Sequence, residues 1–368
     1  MKIDGKHHQS IWINENNEKL IQVFDQRLFP HEIKIFNIQN TDAAIFAIKE
    51  MVVRGAPLIG VTAAYGLYLA CLEAQKESNP DIYIEEIARK LAQTRPTAVN
   101  LVWAINEMLR VIHQGKSVEE KINIALQKAN EIKKEDIEIC FKIGEYGLFL
   151  IKKIAESKQG KTVNILTHCN AGWLATIDWG TATSPMYQAQ QAEIDIHVWV
   201  DETRPRNQGA NLTAFELNQQ GIPHTLITDN TGGHLMQHGM VDMVIVGTDR
   251  TTRNGDVANK IGTYLKALAA YDNNIPFYVA LPSSTLDCSI ADGIKEISIE
   301  TRDQNEVKYI QGKVDGEIKS VLICPETTSA INYGFDITPA KYVTGLITER
   351  GICKASEEGI RSLFPEKF

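Results

Sequence analysis

A cysteine lies among residues suited to ligand contact in the stretch NILTHCNAGWLAT, residues 164–176. Cys169 follows a short apolar run that predicts a strand, and Asn170 and Gly172 come directly after it. Glycine permits close backbone approach, and a helix starting near Gly172 would offer free amides that favour a thiolate. A lone cysteine after a strand is more commonly a buried apolar side chain. The stretch therefore permits two interpretations of Cys169, a reactive thiol in a site or a thiol buried in the core.

Asp249 is the candidate partner of this thiol. It follows the apolar run MVIVG, and acid–base chemistry needs two groups that hold different protonation states at one reacting centre. Capping of the following segment is the common structural role of such an aspartate. Further charged or amide side chains crowd the same region, namely Asp229, Arg250, Arg253, Asp256, Asn259 and Lys260. His168 and His234 lack the spacing of metal ligands, so we expect no metal and assign them lining or turn positions.

Three basic residues are candidates for holding an anion. MVVRGAPLIGVTAAYG places Arg54-Gly55-Ala56 before an apolar helix, with a proline in its first turn, and free amides there can bind an anion. Arg95 in QTRPTAVNL and Lys260 add positive charge, which suits a phosphorylated sugar. The patterns GxGxxG and GxxxxGK[ST] are absent from the sequence, which disfavours a nicotinamide or nucleotide cofactor.

Composition narrows the class of protein. The chain has 368 residues, 43% of them hydrophobic, and a net charge of -8, which argues against nucleic acid or an anionic membrane as a partner. We expect no apolar run that approaches the roughly 18 residues of a membrane span and no signal peptide, hence a cytoplasmic location. Six scattered cysteines without a CxxC pattern predict neither disulfides nor structural zinc.

The pattern of apolar residues predicts two domains in an α/β fold. Residues 1–130 are expected to form a smaller, mainly helical domain with a short antiparallel sheet, followed by a charged helix from about 118 to 157. Residues 131–368 are expected to form a doubly wound, Rossmann-like parallel sheet, because compact apolar runs alternate with helical stretches. The predicted strands are TVNILTH, DIHVWVDE, HTLITD, VDMVIVGTD, PFYVALPS and KSVLICPE. Polar clusters follow four of them, which predicts a site at one edge of the sheet.

Seven segments resemble the methylthioribose-1-phosphate isomerases, in a superfamily shared with the α, β and δ subunits of the initiation factor 2B complex. They are VVRGAPLIG, RPTAVNL, THCNAG, DETRPRNQGA, VGTDR, NGDVANKIGTY and FDITPAKYVTGLITERG, and they run through nearly the whole chain. The resemblance implies a homodimeric, cofactor-free aldose–ketose isomerase of methionine salvage. Cys169 and Asp249 would be its catalytic pair, with Asp249 as proton donor. Substrate contacts would fall on Arg54, Gly55, Ala56, Arg95, Gln208, Asn259 and Lys260.

The sequence departs from this family's pattern in two places. Trp173, Asp178 and Trp179 follow THCNAG where smaller residues are usual, and Asn230 and Thr231 stand where apolar or small residues are expected. The sequence therefore does not decide which group the sugar carries at its 5-position. 5-Deoxyribose 1-phosphate and ribose 1,5-bisphosphate are the alternative substrates. The tryptophans could instead pack a helix or a dimer interface. A non-catalytic regulatory subunit of the translation-factor type is the alternative from another class, and the presence of both Cys169 and Asp249 argues against it.

Overall fold

The computed structural model describes residues 1–95 and 98–368. Residues 96 and 97 of the segment RPTAVNL lie outside the described residues. The chain opens with antiparallel strands, as the sequence predicts. A two-stranded hairpin precedes a three-stranded sheet in the order β3-β4-β5. These strands are β1 (Lys2–Ile3), β2 (Lys6–His7), β3 (Ile11–Asn14), β4 (Asn17–Phe24) and β5 (Ile35–Ile38).

Helices form the next part of the chain. They are α1 (Thr41–Lys49), α2 (Ala56–Glu73), α3 (Pro80–Ala92), α4 (Val99–Ile112) and α5 (Val118–Ser157). The charged helix predicted for about 118–157 is thereby confirmed. Ala125 and Ala129 of α5 pack in the core of the N-terminal helices, whereas Ile143 and Ile151 pack against the large sheet. Because α5 is continuous through residue 130, it belongs to both cores, and the division into 1–130 and 131–368 stays a prediction.

Helix α2 with its short extension, Ala56–Lys76, is long and apolar enough to cross a membrane by length and composition alone. The expectation that no apolar segment approaches that length was therefore wrong. The helix is apolar on all sides because 83% of its most apolar window is buried inside the protein, where it packs against α4 and α5. Burial within a protein core accounts for this composition.

A seven-stranded sheet forms the second half of the chain, in the order β18-β17-β12-β9-β6-β7-β8. Its strands are β6 (Val163–Thr167), β7 (Ile196–Asp201), β8 (His224–Ile227), β9 (Met243–Val246), β12 (Phe277–Ala280), β17 (Gly345–Thr348) and β18 (Gly351–Cys353). All neighbours are parallel except β17 and β18. Taken in chain order, the parallel strands follow the Rossmann order 3-2-1-4-5-6, which confirms the predicted fold class.

Both faces of this sheet are covered. Ile165 and Ile245 point into one core, and their neighbours Leu166 and Val244 point into the other. The covering helices and the shorter helical segments of this half are α6 (Ser184–Gln191), α7 (Ala214–Gln220), α8 (Thr231–Gln237), α9 (Thr263–Asp272), α10 (Gly293–Glu296), α11 (Asn305–Lys308) and α12 (Glu357–Leu363). Near-continuous apolar strands are required because each strand contacts both cores.

A second, four-stranded sheet stands beside the large one, in the order β13-β10-β11-β16. Its strands are β10 (Arg250–Thr252), β11 (Val257–Lys260), β13 (Leu286–Asp287) and β16 (Phe335–Thr338). The remaining strands, β14 (Tyr309–Val314) and β15 (Glu317–Leu322), pair as a hairpin. KSVLICPE was predicted as a strand of the parallel sheet, and this was wrong, because its first four residues belong to exposed β15 and the rest follow that strand. The sheet position next to β12 is taken by GLIT, the four buried residues of β17.

Candidate active site

Two loops meet where the strand order of the large sheet reverses. Strands β6 and β9 are neighbours there, with Leu166 opposite Val244, although they are the first and fourth parallel strands along the chain. Cys169 follows β6 by two residues, and Asp249 follows β9 by three. In open parallel sheets, ligands bind beyond the carboxyl ends of the strands at this switch point. The predicted pair therefore occupies the position in the fold where a ligand is expected.

The backbone of Cys169 is held in an unusual conformation. Its φ is +68°, in the left-handed region that non-glycine residues rarely adopt. Its amide donates a hydrogen bond to Oγ1 of Thr203 at 2.8 Å, and its carbonyl accepts one from Oγ1 of Thr213 at 2.7 Å. Both threonines come from the segment that follows β7. These bonds fix the loop, and the side chain is 7% exposed.

Three titratable groups interact within this site. Burial raises the pKa of the Cys169 thiol, and the cations of Arg54 and Lys260 oppose that rise. Burial also raises the pKa of the Asp249 carboxyl, which Lys260 opposes most strongly. Burial lowers the pKa of the Lys260 ammonium, and the charges of Cys169 and Asp249 oppose that change. Each group is thus shifted towards its neutral form and depends on the charge of the others.

Lys260 and Asn259 lie on β11 of the four-stranded sheet. No sequence pattern predicts this sheet, and the sequence places the two residues only after the β9 strand. Nζ of Lys260 lies 4.7 Å from the ring centroid of Phe335, its cross-strand partner on β16. The side-chain amide of Asn259 donates to Oγ1 of Thr263 at 3.0 Å. The cation is therefore held on a rigid strand beside an aromatic face.

The start of α2 contacts the cysteine loop directly. The Arg54 guanidinium donates to Oδ1 of Asn170 and, at 2.9 Å, to the Asn170 carbonyl. Gly55 has φ +94°, and a Cβ there would lie 2.4 Å from the carbonyl oxygen of Ala175. Proline stands in the first turn of the helix, which starts at Ala56, as predicted. Glycine is thus required for α2 to approach the loop.

Two cavities adjoin through the neighbours Arg54 and Gly55. Arg54 and Gln208 line a cavity of about 600 Å³, and Oε1 of Gln208 is buried without a hydrogen-bond partner among the described residues. Gly55 lines a smaller cavity of about 30 Å³, together with Ala56, Arg95 and Asp249. Cys169, Asn259 and Lys260 are absent from the described lining of both cavities. Cys169 and Lys260 are connected to Asp249 electrostatically instead.

Glu300 is a charged residue near the site that sequence reasoning missed. One of its carboxylate oxygens lies 3.8 Å from Nη2 of Arg95, and the other accepts from Arg302 at 2.7 Å. Its negative charge also raises the pKa of Asp249. Glu300 comes from the segment between β13 and β16, whose residues 297–299 line the smaller cavity. No motif marked this segment, so the sequence offered no signal for it.

A helix starting near Gly172 would offer free amides, but the structure has only a short 3-10 helix there and its first amides are not free. The chain forms a three-residue 3-10 turn at Trp173–Ala175. The backbone amides of Trp173 and Leu174 donate to the buried carboxylate of Glu216 at 3.1 and 2.9 Å. These amides are consequently occupied by a side chain and are not available to a ligand or to the thiol.

Several polar residues of the crowded region have structural partners. Asp229 accepts from the backbone amides of Thr203 and Arg204, each at 2.8 Å. Arg250 pairs with Asp287 at 3.4 Å, and Arg253 pairs with Glu357 at 3.3 Å. Asp256 accepts from the amides of Gly293 and Ala340 at 3.0 and 2.9 Å. Turn and pairing roles therefore account for Asp229, Arg253 and Asp256, whereas Arg250 also lines the smaller cavity beside Asp249.

His168, Asp201 and Asp229 bring possible metal-ligand atoms within 4.8 Å of one another. Nδ1 of His168 lies 2.9 Å from the Asp201 carboxylate, and Nε2 lies 2.9 Å from the carbonyl oxygen of Ile261. Lys266 adds a positive charge 3.2 Å from Asp201. The ring nitrogens of His168 thus already face acceptors, which fits a buried ion-pair cluster better than a metal site. His234 is exposed on α8.

The three residues that depart from the family pattern after THCNAG contact other side chains. Trp173 is fully buried and meets Phe24 edge-on, with ring centroids 6.1 Å apart. Trp179 packs against Phe141 of α5 at 5.1 Å. Asp178 accepts from His7 at 2.7 Å and from the amino group of Met1. Both tryptophans are absent from the described lining of the two cavities, as a packing role requires.

Comparison with known proteins gives one consistent family. A model of the family described as "Initiation factor 2 subunit family" matches residues 52–355. Proteins named methylthioribose-1-phosphate isomerase from Desulfatibacillum aliphaticivorans and Sinorhizobium medicae are 57% and 55% identical, each over 100% of both chains. The solved 5-methylthioribose 1-phosphate isomerase of Pyrococcus horikoshii is 36% identical with a TM-score of 0.83, covering 98% of this chain and 97% of that one. The solved structure of translation initiation factor eIF-2B, subunit delta, from A. fulgidus is 38% identical with a TM-score of 0.78, covering 98% of this chain and 100% of that one.

Proposed function

Because the chain belongs to the initiation factor 2 subunit family and, within it, to the methylthioribose-1-phosphate isomerases, we propose that it isomerises 5-methylthioribose 1-phosphate to 5-methylthioribulose 1-phosphate. The activity is an intramolecular oxidation and reduction, from aldose to ketose, and it is consistent with methionine salvage. The observation that carries the assignment of roles is the placement of Cys169 and Asp249 at the switch point, beside the cations of Arg54, Arg95 and Lys260.

The chemistry explains why an acid is needed. The anomeric oxygen of the substrate carries the phosphate, so the ring cannot open by the ordinary hemiacetal route to a free aldehyde. We assign Asp249 as the acid that protonates the ring oxygen as its bond to C1 breaks. The raised pKa of Asp249 supports this role, since it keeps the carboxyl protonated at higher pH than an exposed aspartate. The cations are assigned to the phosphate, together with the backbone of Gly55 and Ala56.

Two routes complete the reaction from the ring-opened state. In the first, Cys169 removes the proton from C2 and an enol forms between C1 and C2. C1 then takes up a proton while the C2 hydroxyl releases its own, which leaves a ketone at C2 and balances the proton that Asp249 gave to the ring oxygen. In the second, the hydrogen of C2 moves with its electron pair to C1, the C2 hydroxyl loses its proton, and the two side chains shape and polarise the site. Turnover in D2O separates the routes, because the first permits deuterium at C1 of the product and the second does not.

The remaining predicted contacts support a polar substrate. Gln208 lines the larger cavity, and its buried Oε1 has no hydrogen-bond partner among the described residues, which supports Gln208 as a contact of a polar substrate. Asn259 is assigned to the substrate on the resemblance alone. Trp173 and Trp179 pack on other aromatic rings and line neither of the two cavities, which supports a methylthio group as the 5-substituent of the sugar. The deoxy sugar and the bisphosphate are therefore not favoured.

The activity is tested by incubating the purified protein with 5-methylthioribose 1-phosphate and, in parallel, 5-deoxyribose 1-phosphate. Formation of the ketose 1-phosphate is followed by NMR. We expect preferred turnover of the thioether substrate. Preference for the deoxy sugar would overturn the substrate assignment. If the protein turns over neither sugar and does not turn over ribose 1,5-bisphosphate, a regulatory subunit would be favoured.

We further propose a cytoplasmic homodimer. The aromatic side chains of Phe141, Tyr146 and Phe149 are exposed on α5, between 38% and 52%, and can be covered by a second copy. Size-exclusion chromatography with light scattering should give twice the monomer mass. A monomer at micromolar concentration would contradict this proposal.

A further inference from the structure

Glu216 is a fully buried carboxylate beneath the cysteine loop. Its Oε1 accepts from the side-chain amide of Asn170 at 3.0 Å and the backbone amide of Leu174 at 2.9 Å. Its Oε2 accepts from the amide of Trp173 at 3.1 Å and from the hydroxyl of Tyr187 at 2.9 Å. A carboxylate can accept from all four donors, whereas a carboxamide would turn its own NH2 group towards two of them.

Asn170 connects this carboxylate to Arg54. The Asn170 amide nitrogen faces both Glu216 and, at 3.2 Å, Oγ1 of Thr213. Its Oδ1 must therefore face the other way, where it accepts from the Arg54 guanidinium. The orientation of the Asn170 amide, and with it the position of Arg54, is set from the Glu216 side.

The cysteine loop can approach the Glu216 carboxylate closely because residue 172 is a glycine. A Cβ on Gly172 would lie 1.6 Å from Oε2 of Glu216. Any larger residue at 172 would displace either the carboxylate or the loop that carries Cys169. The close contact is independent of the hydrogen bonds and shows that loop and carboxylate fit one another.

We propose that Glu216 is a positioning residue for the isomerase reaction, holding Arg54 through Asn170 and holding the loop that carries Cys169. The inference rests on the proposed function, because Arg54 is a proposed substrate contact. Glu216 itself does not touch the substrate. Loss of the Glu216 carboxylate should therefore change substrate binding and the positive charge near the Cys169 thiol.

The test compares two variants that each perturb the same carboxylate. Glu216→Gln keeps the size of the side chain but places an NH2 group against donors, which disturbs Asn170 and the loop. Tyr187→Phe removes one donor on the side away from Asn170. We expect kcat/KM with 5-methylthioribose 1-phosphate to fall about 10- to 100-fold in Glu216→Gln, mainly through KM. In Tyr187→Phe we expect KM to stay within about twofold of wild type, with a lower thermal midpoint.

A second measurement does not depend on turnover. The rate of Cys169 alkylation by iodoacetamide is followed against pH by peptide mass spectrometry, with the partly exposed Cys288 and Cys324 as internal references. Because Arg54 lowers the pKa of Cys169, its displacement in Glu216→Gln should move the alkylation midpoint to higher pH. Simple loosening of the structure would expose Cys169 and speed its alkylation at all pH values, so the two causes give opposite results.

A folded Glu216→Gln protein with wild-type KM and an unshifted alkylation profile would overturn the proposal. If Glu216→Gln does not fold by circular dichroism, Asn170→Ala decides, because it breaks the link to Arg54 and leaves the other three bonds of Glu216. Wild-type KM in Asn170→Ala would equally overturn it. Lack of turnover by the wild-type protein would instead refute the proposed function, and the alkylation profiles would still test the positioning role.

Discussion

Cys169 and Asp249 follow two neighbouring parallel strands that are not consecutive in the chain. Leu166 on the first strand pairs with Val244 on the second, and the strands in between along the sequence lie elsewhere in the sheet. The crossover leaves space between the two loops, and α2 fills part of it with Arg54 and Gly55. The relationship between thiol and carboxyl is therefore fixed by the topology of the sheet.

Replacement of the thiol should remove most of the activity without unfolding the protein. We expect Cys169→Ala to lower kcat about 10²- to 10⁴-fold, the contribution typical of a positioned acid or base. Cys288→Ala is the matched control, because Cys288 is partly exposed and lies outside the site. Steady-state kinetics with circular dichroism checks both variants. Wild-type kcat in a folded Cys169→Ala protein would remove Cys169 from the mechanism.

Removal of the Glu300 charge should move the pH dependence of activity. The negative charge of Glu300 raises the pKa of Asp249, so Glu300→Gln should lower it. Asp249 would then lose its proton at lower pH, and the fall of kcat/KM on the alkaline side should shift to lower pH. Glu326→Gln, on an exposed position of the same segment, should leave the profile unchanged. An unchanged or upward shift in Glu300→Gln would speak against Asp249 as the acid.

A methyl group at Gly55 should separate α2 from the cysteine loop. The added Cβ of Gly55→Ala would lie 2.4 Å from the carbonyl oxygen of Ala175, and the φ of +94° is unfavourable for alanine. We expect a loss of about 3 kcal/mol or more in the free energy of unfolding, together with weaker substrate binding. In Gly233→Ala the new Cβ would meet Ala269 at 3.7 Å, an ordinary contact, and the loss should stay below about 1 kcal/mol. Urea unfolding compares the two, and equal losses would contradict the close approach.

Asp136 of α5 should make stability fall as pH rises. Burial raises the pKa of Asp136 to about 7, so folding favours its protonated form. The contribution of Asp136 to the free energy of unfolding is complete below the pKa of this aspartate in the unfolded chain, about 4. It is lost as pH rises towards 7. Asp136→Asn stays neutral and can still accept the hydrogen bond from the Ile177 amide, 2.9 Å away in the wild type. Relative to wild type, the variant should gain about 2–4 kcal/mol between pH 4 and pH 8. A pH-independent difference in unfolding free energy would show that Asp136 is ionised in the folded protein.

The sequence was sufficient for most strands of the parallel sheet, because buried parallel strands must be apolar on both faces. Strands such as TVNILTH and VDMVIVGTD are near-continuous apolar runs, and they lie where predicted. KSVLICPE failed because a run of mixed residues also suits an exposed hairpin, and GLIT was missed because only two of its four residues, Leu346 and Ile347, are strongly apolar. Local pattern therefore identified strands with near-continuous apolar runs and missed the one with few apolar residues.

The site was predictable where one segment carries several of its residues. THCNAG and VGTDR each place a reactive group directly after a strand, which the parallel sheet then brings together. Glu216 and Glu300 were missed because their partners, Asn170 and Arg95, lie far away in the chain. An acidic residue on a helix or a loop has no local mark that separates a buried role from an exposed one. Contacts of this kind require the folded structure.

The turnover of Asp249→Asn with 5-methylthioribose 1-phosphate tests whether Asp249 is the acid of the reaction. The substitution keeps the size of the side chain and removes the proton that the ring oxygen would receive. With circular dichroism and thermal midpoint equal to wild type, we predict that kcat falls about 10²- to 10⁴-fold. A folded Asp249→Asn protein that keeps wild-type kcat would contradict the assignment of Asp249 as the acid and, with it, the proposed pairing of Asp249 and Cys169 in one active site.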